Sequence, residues 1–245
     1  DRRQRQMCIR DRLHALIFLI VILMGCNSTP NRSILRQVES YMEEHPDSAL
    51  FLLNSIAHPE KLSGREQAEY ALFYTQSCEK NFILQLNDSL IKIAVDYFES
   101  QAGGLKTAQS YFYMGCIYQN RNEHANAVRA FIKALENAPS NIRSRILMQI
   151  HFYLAESYNN EGLYNEAKKH YFLSYENAIY RKDTLDMYYP LRGIGTAYSF
   201  KLQYDSALVY YNKALEISCR ANNNEMKAYV LSSICLLYTS PSPRD

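Results

Sequence analysis

A period of forty residues constrains this chain more than any other feature. Three stretches, "YFYMGCIYQNRNEHANAVRAFIKALENAP" (111–139), "HFYLAESYNNEGLYNEAKKHYFLSYENAI" (151–179) and "LRGIGTAYSFKLQYDSALVYYNKALEISC" (191–219), superpose without a gap. Small residues recur at Gly115, Ala155 and Gly195, and tyrosines at Tyr118, Tyr158 and Tyr198. Alanines recur at Ala127, Ala167 and Ala207, and aromatics at Phe131, Tyr171 and Tyr211. A further small residue follows at Ala134, Ser174 and Ala214. A unit recurring at this length buries its apolar face only by stacking on its neighbours, so the period predicts a solenoid. Gly and Pro number only 8 and 7, against 21 Tyr and 10 Phe, so the units are expected to be helical.

The pattern resembles the tetratricopeptide repeat: a bulky residue, Leu, Gly/Ala and Tyr, then Ala, Phe/Tyr, Ala and Pro at fixed offsets. The first copy carries nearly all of it, in Tyr111, Met114, Gly115, Tyr118, Ala127, Phe131, Ala134 and Pro139. The resemblance implies an all-α fold, an α-solenoid of antiparallel helix hairpins. Small residues would sit where helices A and B of a hairpin cross, and aromatics would fill the gaps between hairpins. Asn165 and Asp205 stand where an N-cap for helix B is wanted. The period of 40 exceeds the family's usual length of about 34, which implies longer helices or connections.

The expected units are 108–147, 148–187 and 188–227, with 224–234 opening a further one. Leu231 falls forty residues after Leu191, and Ile234 forty after Ile194. Upstream, 33–103 reads as degenerate hairpins, since terminal repeats are atypical. Residues 33–56 predict two helices around His45-Pro46-Asp47, with Asp47 as cap. Residues 63–81 predict a helix entered at Ser63, and 87–103 one capped at Asp88 or Asn87.

Both ends read differently. Met7–Asp11 is encodable as ATG TGT ATA AGA GAC, and the opposite strand in another frame, TGT CTC TTA TAC ACA TCT, encodes Cys235–Ser240. The two ends therefore fit one inverted DNA repeat, which resembles the adapter of transposon-based sequencing. Residues 1–12 and 235–245 are accordingly expected to be non-native and to make few contacts with the repeats. Without their six basic and three acidic residues, the net charge of +2 becomes −1. The electrostatic case for nucleic acid goes with it. The native chain is expected to start upstream and to continue past residue 234.

"LIFLIVILMGCNS" closes an apolar run, Ala15 to Gly25, at a cysteine. A spanning helix needs about 20 residues, and a secretory h-region about 7–15. Leu23-Met24-Gly25-Cys26 resembles the bacterial lipobox, with Leu at −3, a small residue at −1 and Cys at +1. The resemblance implies that 13–25 is a signal h-region, that Cys26 is lipidated and that 26–32 is a tether. Several acyl chains would then hold the protein at the membrane. Asn27, where Asp would retain a lipoprotein at the inner membrane, favours the outer membrane of a bacterial envelope, facing the periplasm.

No reaction-carrying constellation is present: no H-E-x-x-H, no G-x-S-x-G, no phosphate loop and no metal-ligand spacing. The chain is expected to be non-catalytic and without cofactor or metal. Cys78, Cys116 and Cys219 read as small buried hydrophobes. The histidines are scattered, and His151, at a bulky repeat position, reads as a packing residue. Lys168-Lys169-His170, Arg181-Lys182 and Glu43-Glu44 read as solvated surface.

The resemblance implies a binding groove on the concave face of the A helices. Its positions fall on Gln109, Phe112, Cys116, Gln119 and Asn120 in the first unit. The second supplies Gln149, Phe152, Glu156, Asn159 and Asn160, and the third Tyr189, Arg192, Thr196, Ser199 and Phe200. Amides suit a peptide backbone while Phe112 and Phe152 would hold apolar side chains. The carboxylate clamp of chaperone-binding members is absent: those put Lys and Asn where this chain has Phe112 and Cys116. The expected function is a lipid-anchored scaffold for a protein or peptide partner. The alternative is the N-terminal sensory region of a signalling protein or transcriptional regulator. A third reading, an envelope enzyme or nutrient-uptake lipoprotein, is weakened for sugars by the absence of Trp.

Overall fold

A computed structural model describes residues 30–101, 103–139, 145–182 and 184–239. Among these there are eleven α-helices and no strand. They are α1 (Pro30–Tyr41), α2 (Pro46–Asn54), α3 (Gly64–Lys80), α4 (Ser89–Glu99), α5 (Leu105–Asn120) and α6 (His124–Asn137). There follow α7 (Arg145–Asn160), α8 (Tyr164–Arg181), α9 (Tyr188–Phe200), α10 (Tyr204–Arg220) and α11 (Asn224–Thr239). Odd-numbered helices are the A members of successive hairpins and even-numbered ones the B members. Each helix packs on the next, and each A helix also packs on the following A helix. This is the expected solenoid.

The recurring positions are where the hairpins close. Ala127, Ala167, Ala207, Ala134, Ser174 and Ala214 are all fully buried. Gly115 lies under the Phe131 ring and Gly195 under Tyr211, where an added Cβ would come within 2.6 Å of ring carbons. The turns share the period. Phe82, Asn122, Gly162 and Leu202, forty apart, all have positive φ. In each turn the next residue's N–H reaches back five residues: Ile83 to Cys78 O, Glu123 to Tyr118 O, Leu163 to Tyr158 O, Gln203 to Tyr198 O, at 2.8–3.0 Å. This 6→1 bond around a left-handed residue is the Schellman ending. It extends the period one unit upstream, into the hairpin of α3 and α4. There helix B starts late, and an irregular segment, 83–88, intervenes.

Three helix starts differ from the expected caps, while Ser63 and Asp88 hold the cap positions. Pro46 takes the first position of α2, which suits its fixed φ, so the cap falls on His45 and Asp47 lies in the first turn. Likewise α8 and α10 start at Tyr164 and Tyr204, which puts Asn165 and Asp205 inside the first turn. Asn165 instead accepts from Lys201 Nζ at 2.5 Å. At α4, Asp88 holds the cap position, while Asn87 Oδ1 accepts the Ser89 N–H at 2.8 Å. The predicted tether overlaps α1, which begins at Pro30. Residues 1–12, the apolar run 15–25 and Cys26 lie outside the described residues. At the other end α11 continues to Thr239, and Leu237 is buried against the C-terminal core, where few contacts were expected. Cys-Leu-Leu-Tyr continues a helix whatever DNA encodes it.

Candidate functional site: the concave face of the A helices

Helices α5, α7 and α9 present two adjoining hollows. One, of about 460 Å³, is lined by Phe112, Tyr113, Met148, Gln149, Phe152, Tyr153 and Tyr189, with Glu79, Lys80 and Phe82 from the end of α3. Arg145, Ser174, Asp186 and Pro190 complete it. The other, of about 390 Å³, is lined by Gln119, Asn120, Asn122, His124, Phe152, Tyr153, Glu156, Asn160, Tyr189 and Arg192. Phe152, Tyr153 and Tyr189 belong to both, so the two form one groove with an aromatic floor.

Of the residues expected in the groove, Phe112, Gln119, Asn120, Gln149, Phe152, Glu156, Asn160, Tyr189 and Arg192 line it. Gln109, Asn159, Thr196 and Ser199 do not line either hollow. Several that do are engaged by the protein itself. Phe112 is only 2% exposed, because Tyr153 of the next A helix packs edge-on over it at 5.3 Å. It forms floor, not a pocket for a guest side chain. Gln119 Nε2 donates to Tyr153 O at 2.9 Å and Ser157 Oγ at 2.8 Å, across the seam between units. Asn120 Nδ2 donates to Gln85 O at 3.2 Å, holding the irregular segment after α3.

Cys116, Glu156 and Thr196, one repeat position, face the B-helix aromatic fifteen residues on. Glu156 accepts from the Tyr171 hydroxyl, and Thr196 Oγ1 lies 3.1 Å from the Tyr211 hydroxyl. Thr196 also donates to Arg192 O at 3.1 Å. In the first unit the aromatic is Phe131, and its counterpart Cys116 is buried and apolar. Ring hydroxyl and polar partner occur together or not at all. This position therefore serves hairpin packing before it serves a ligand. Phe200 stacks on Tyr164 at 5.1 Å, at the edge of the array.

Ion pairs bridge the wide hollow. Glu43, after α1, accepts Lys80 at 3.0 Å and Arg145 at 3.7 Å. Arg145 also meets Asp186 at 3.5 Å, and Asp186 meets Arg181 at 3.7 Å. The end of the first hairpin's A helix is thus tied to the start of the fourth's. Glu79 stands apart: among the described residues its carboxylate has no ion pair or side-chain hydrogen bond. Burial raises its pKa above the ordinary carboxylate value. Burial also pushes the Tyr113 and Tyr153 hydroxyls far up, so they stay neutral donors. Arg192, in the smaller hollow, likewise has no ion pair among the described residues. The stretch 33–103 gave no sign of Glu79 or Phe82, because only the curl of the solenoid brings them here.

The histidines are less scattered than the sequence suggests. His151 and His170 stack at 5.2 Å with their Nδ1 atoms 3.0 Å apart, and Tyr158 stacks on His170 at 5.6 Å. Burial, then the facing His170, lowers the His151 pKa to about 4. No group of three His, Cys, Asp or Glu suited to a metal occurs among the described residues. None of the described helices is long and apolar enough to cross a membrane.

Residues 108–141 and 193–218 match the family model "Tetratricopeptide repeat". Several solved structures are similar in fold. A Podosopora anserina protein described as a kinesin light chain with nearly identical TPR-like repeats aligns at TM-score 0.56 and 15% identity, over 80% of this chain and 99% of that one. MamA (AMB-1) aligns at TM-score 0.52 and 17% identity, over 76% and 97%. BtubC (BKLC) from P. vanneervenii aligns at TM-score 0.52 and 13% identity, over 89% and 96%. No curated protein matches the sequence.

Proposed function

We propose that this tetratricopeptide-type solenoid is a non-catalytic scaffold whose concave groove takes an extended peptide segment of a protein partner. One observation carries the reading: two adjoining hollows share an aromatic floor of Phe152, Tyr153 and Tyr189. Tyr189 is 48% exposed there, although apolar surface of this kind is normally covered. Gln149 and Asn160 flank it with amides suited to a peptide backbone. Interface centres are enriched in aromatic residues and bordered by a polar rim.

The proposed site of action is the periplasmic face of a bacterial outer membrane, with Cys26 as the lipidated anchor. Leu23-Met24-Gly25-Cys26 after the apolar run supports this. Expressed in a lipoprotein-processing bacterium behind an initiator Met and a basic leader, the protein should be labelled by a palmitate analogue, and Cys26→Ser should abolish labelling. Equal labelling of both refutes the anchor.

The groove is tested by photocrosslinking in envelope extracts. A benzoylphenylalanine replacing Tyr189 should capture a partner, and Asn160→Trp in the same chain should suppress capture. The same probe at exposed Val209, on helix B, should capture none. Capture from Val209 alone, or capture from Tyr189 indifferent to Asn160→Trp, places binding elsewhere.

A further inference from the structure

Each hollow of the groove holds a charged side chain with no ion pair among the described residues, Glu79 in the larger and Arg192 in the smaller, and the two are opposite in sign. In the larger hollow, Lys80 and Arg145 are ion-paired through Glu43, and Arg145 also through Asp186. Glu79 has no such partner among the described residues, yet it is half-buried beside Tyr113, Phe152 and Tyr153. A desolvated carboxylate is costly unless a cation or donors meet it. Aromatic faces around it add attraction for a cation and cover the stem of a long side chain. In the smaller hollow, Arg192 has no ion pair among the described residues; Glu156, its acidic neighbour on the lining, also lacks one there and accepts from the Tyr171 hydroxyl. A guanidinium so placed suits a carboxylate. The aromatic floor common to both hollows joins the two charges into one track.

Resting on the groove reading above, we propose that the groove selects a dipolar peptide. A Lys or Arg side chain of the partner enters the larger hollow and pairs with Glu79. An Asp or Glu side chain, or a C-terminal carboxylate, pairs with Arg192. Opposite charges at the two ends fix the direction in which the segment lies, since the reversed peptide would set like charges together.

The test is selection of random twelve-residue peptides displayed on phage against the full chain in detergent. Enriched peptides should carry a basic and an acidic residue at a fixed spacing and in one order. Selection on Glu79→Gln should lose the basic preference alone, and selection on Arg192→Gln the acidic preference alone. On the unaltered protein, changing the peptide's basic residue to norleucine or its acidic residue to the amide should each weaken binding by about tenfold or more, as expected for charge-assisted contacts. That arm does not depend on whether a protein variant folds. Enriched peptides that carry neither charge or only one, or preferences that survive both variants, overturn the dipolar proposal and leave peptide binding standing. If no peptide enriches, or if Asn160→Trp binds the same peptides equally well, the groove reading itself falls.

Discussion

The two ends of the solenoid solve the same packing problem with different chemistry. From α1 to α7 a single buried cluster runs from Leu35 to Leu154, built from Leu, Ile, Val, Phe, Ala, Met and Cys with Tyr113 its one buried tyrosine. Beyond it the core breaks into two smaller clusters whose largest members are Tyr171, Tyr188 and Tyr211. Each of these tyrosines hydrogen-bonds its hydroxyl: to Glu156, to Met226 O at 2.7 Å, and opposite Thr196. A buried phenylalanine asks only for volume, whereas a buried tyrosine also needs a correctly placed partner. The N-terminal half is thus held by continuity of apolar contact, and the C-terminal half by individually specified pairs.

That contrast breaks most readily at Phe131, which is fully buried and touches both Phe112 and Tyr153. Phe131→Ala should cost about 3–5 kcal/mol, measured by denaturant unfolding. Tyr211→Ala, in the thinner C-terminal cluster, should cost less and should loosen mainly α9 to α11 by hydrogen exchange. Equal costs would erase the distinction.

Exchanging the rings sharpens it. Tyr171→Phe removes the donor from Glu156 and should cost about 1–3 kcal/mol. Phe131→Tyr should cost a similar amount, since its new hydroxyl meets buried Cys116. Adding Cys116→Thr should recover part of that loss, because the Thr196–Tyr211 pair has the same spacing. A double-mutant cycle without coupling would show that the pairing is incidental.

A pH titration probes the histidine pair on the α7–α8 hairpin. The folded pKa of His151, about 4, lies below its ordinary 6.5. The unfolded chain therefore binds the extra proton between those values, and stability is full above 6.5 and falls as pH drops toward 4. His151→Leu should flatten that slope in thermal melts. A slope unchanged by the substitution assigns the acid sensitivity elsewhere.

The smallest effect belongs to the exposed Arg220–Glu216 pair at 2.6 Å. Arg220→Ala should change stability by no more than about 0.5 kcal/mol. A larger change would mean that the C-terminal half leans on its surface charges as well as its hydroxyls.

Much of this was legible in the sequence, and the limit has a physical cause. A forty-residue period identifies which positions are equivalent, so Gly115 with Gly195, and Ala127 with Ala167 and Ala207, could be placed at the hairpin crossings. Periodicity does not say which neighbour an equivalent position faces. Cys116 and Thr196 were placed in the groove by family register but line neither hollow, and Glu156, which does line one, is also engaged by the B-helix Tyr171. Phe112 had the right face and the wrong depth, because Tyr153 of the next unit covers it. The helix starts slipped at Asp47, Asn165 and Asp205, where a residue favoured as cap is instead the second residue of the helix. Glu79 and Arg145 were invisible as groove residues, since no local pattern encodes how tightly the hairpins curl.

That curl bears on how the molecule responds to load. A stack of hairpins in which each touches only its neighbours stretches like a coil spring, every turn yielding alike. The Glu43–Arg145 contact, reinforced by Lys80 and Asp186, works as a latch across that spring. Stretching the coil along its length would meet the latch before the hydrophobic seams. Being electrostatic and open to water, the latch slackens as ionic strength rises. The spacing between the first and fourth hairpins is then expected to widen as salt rises.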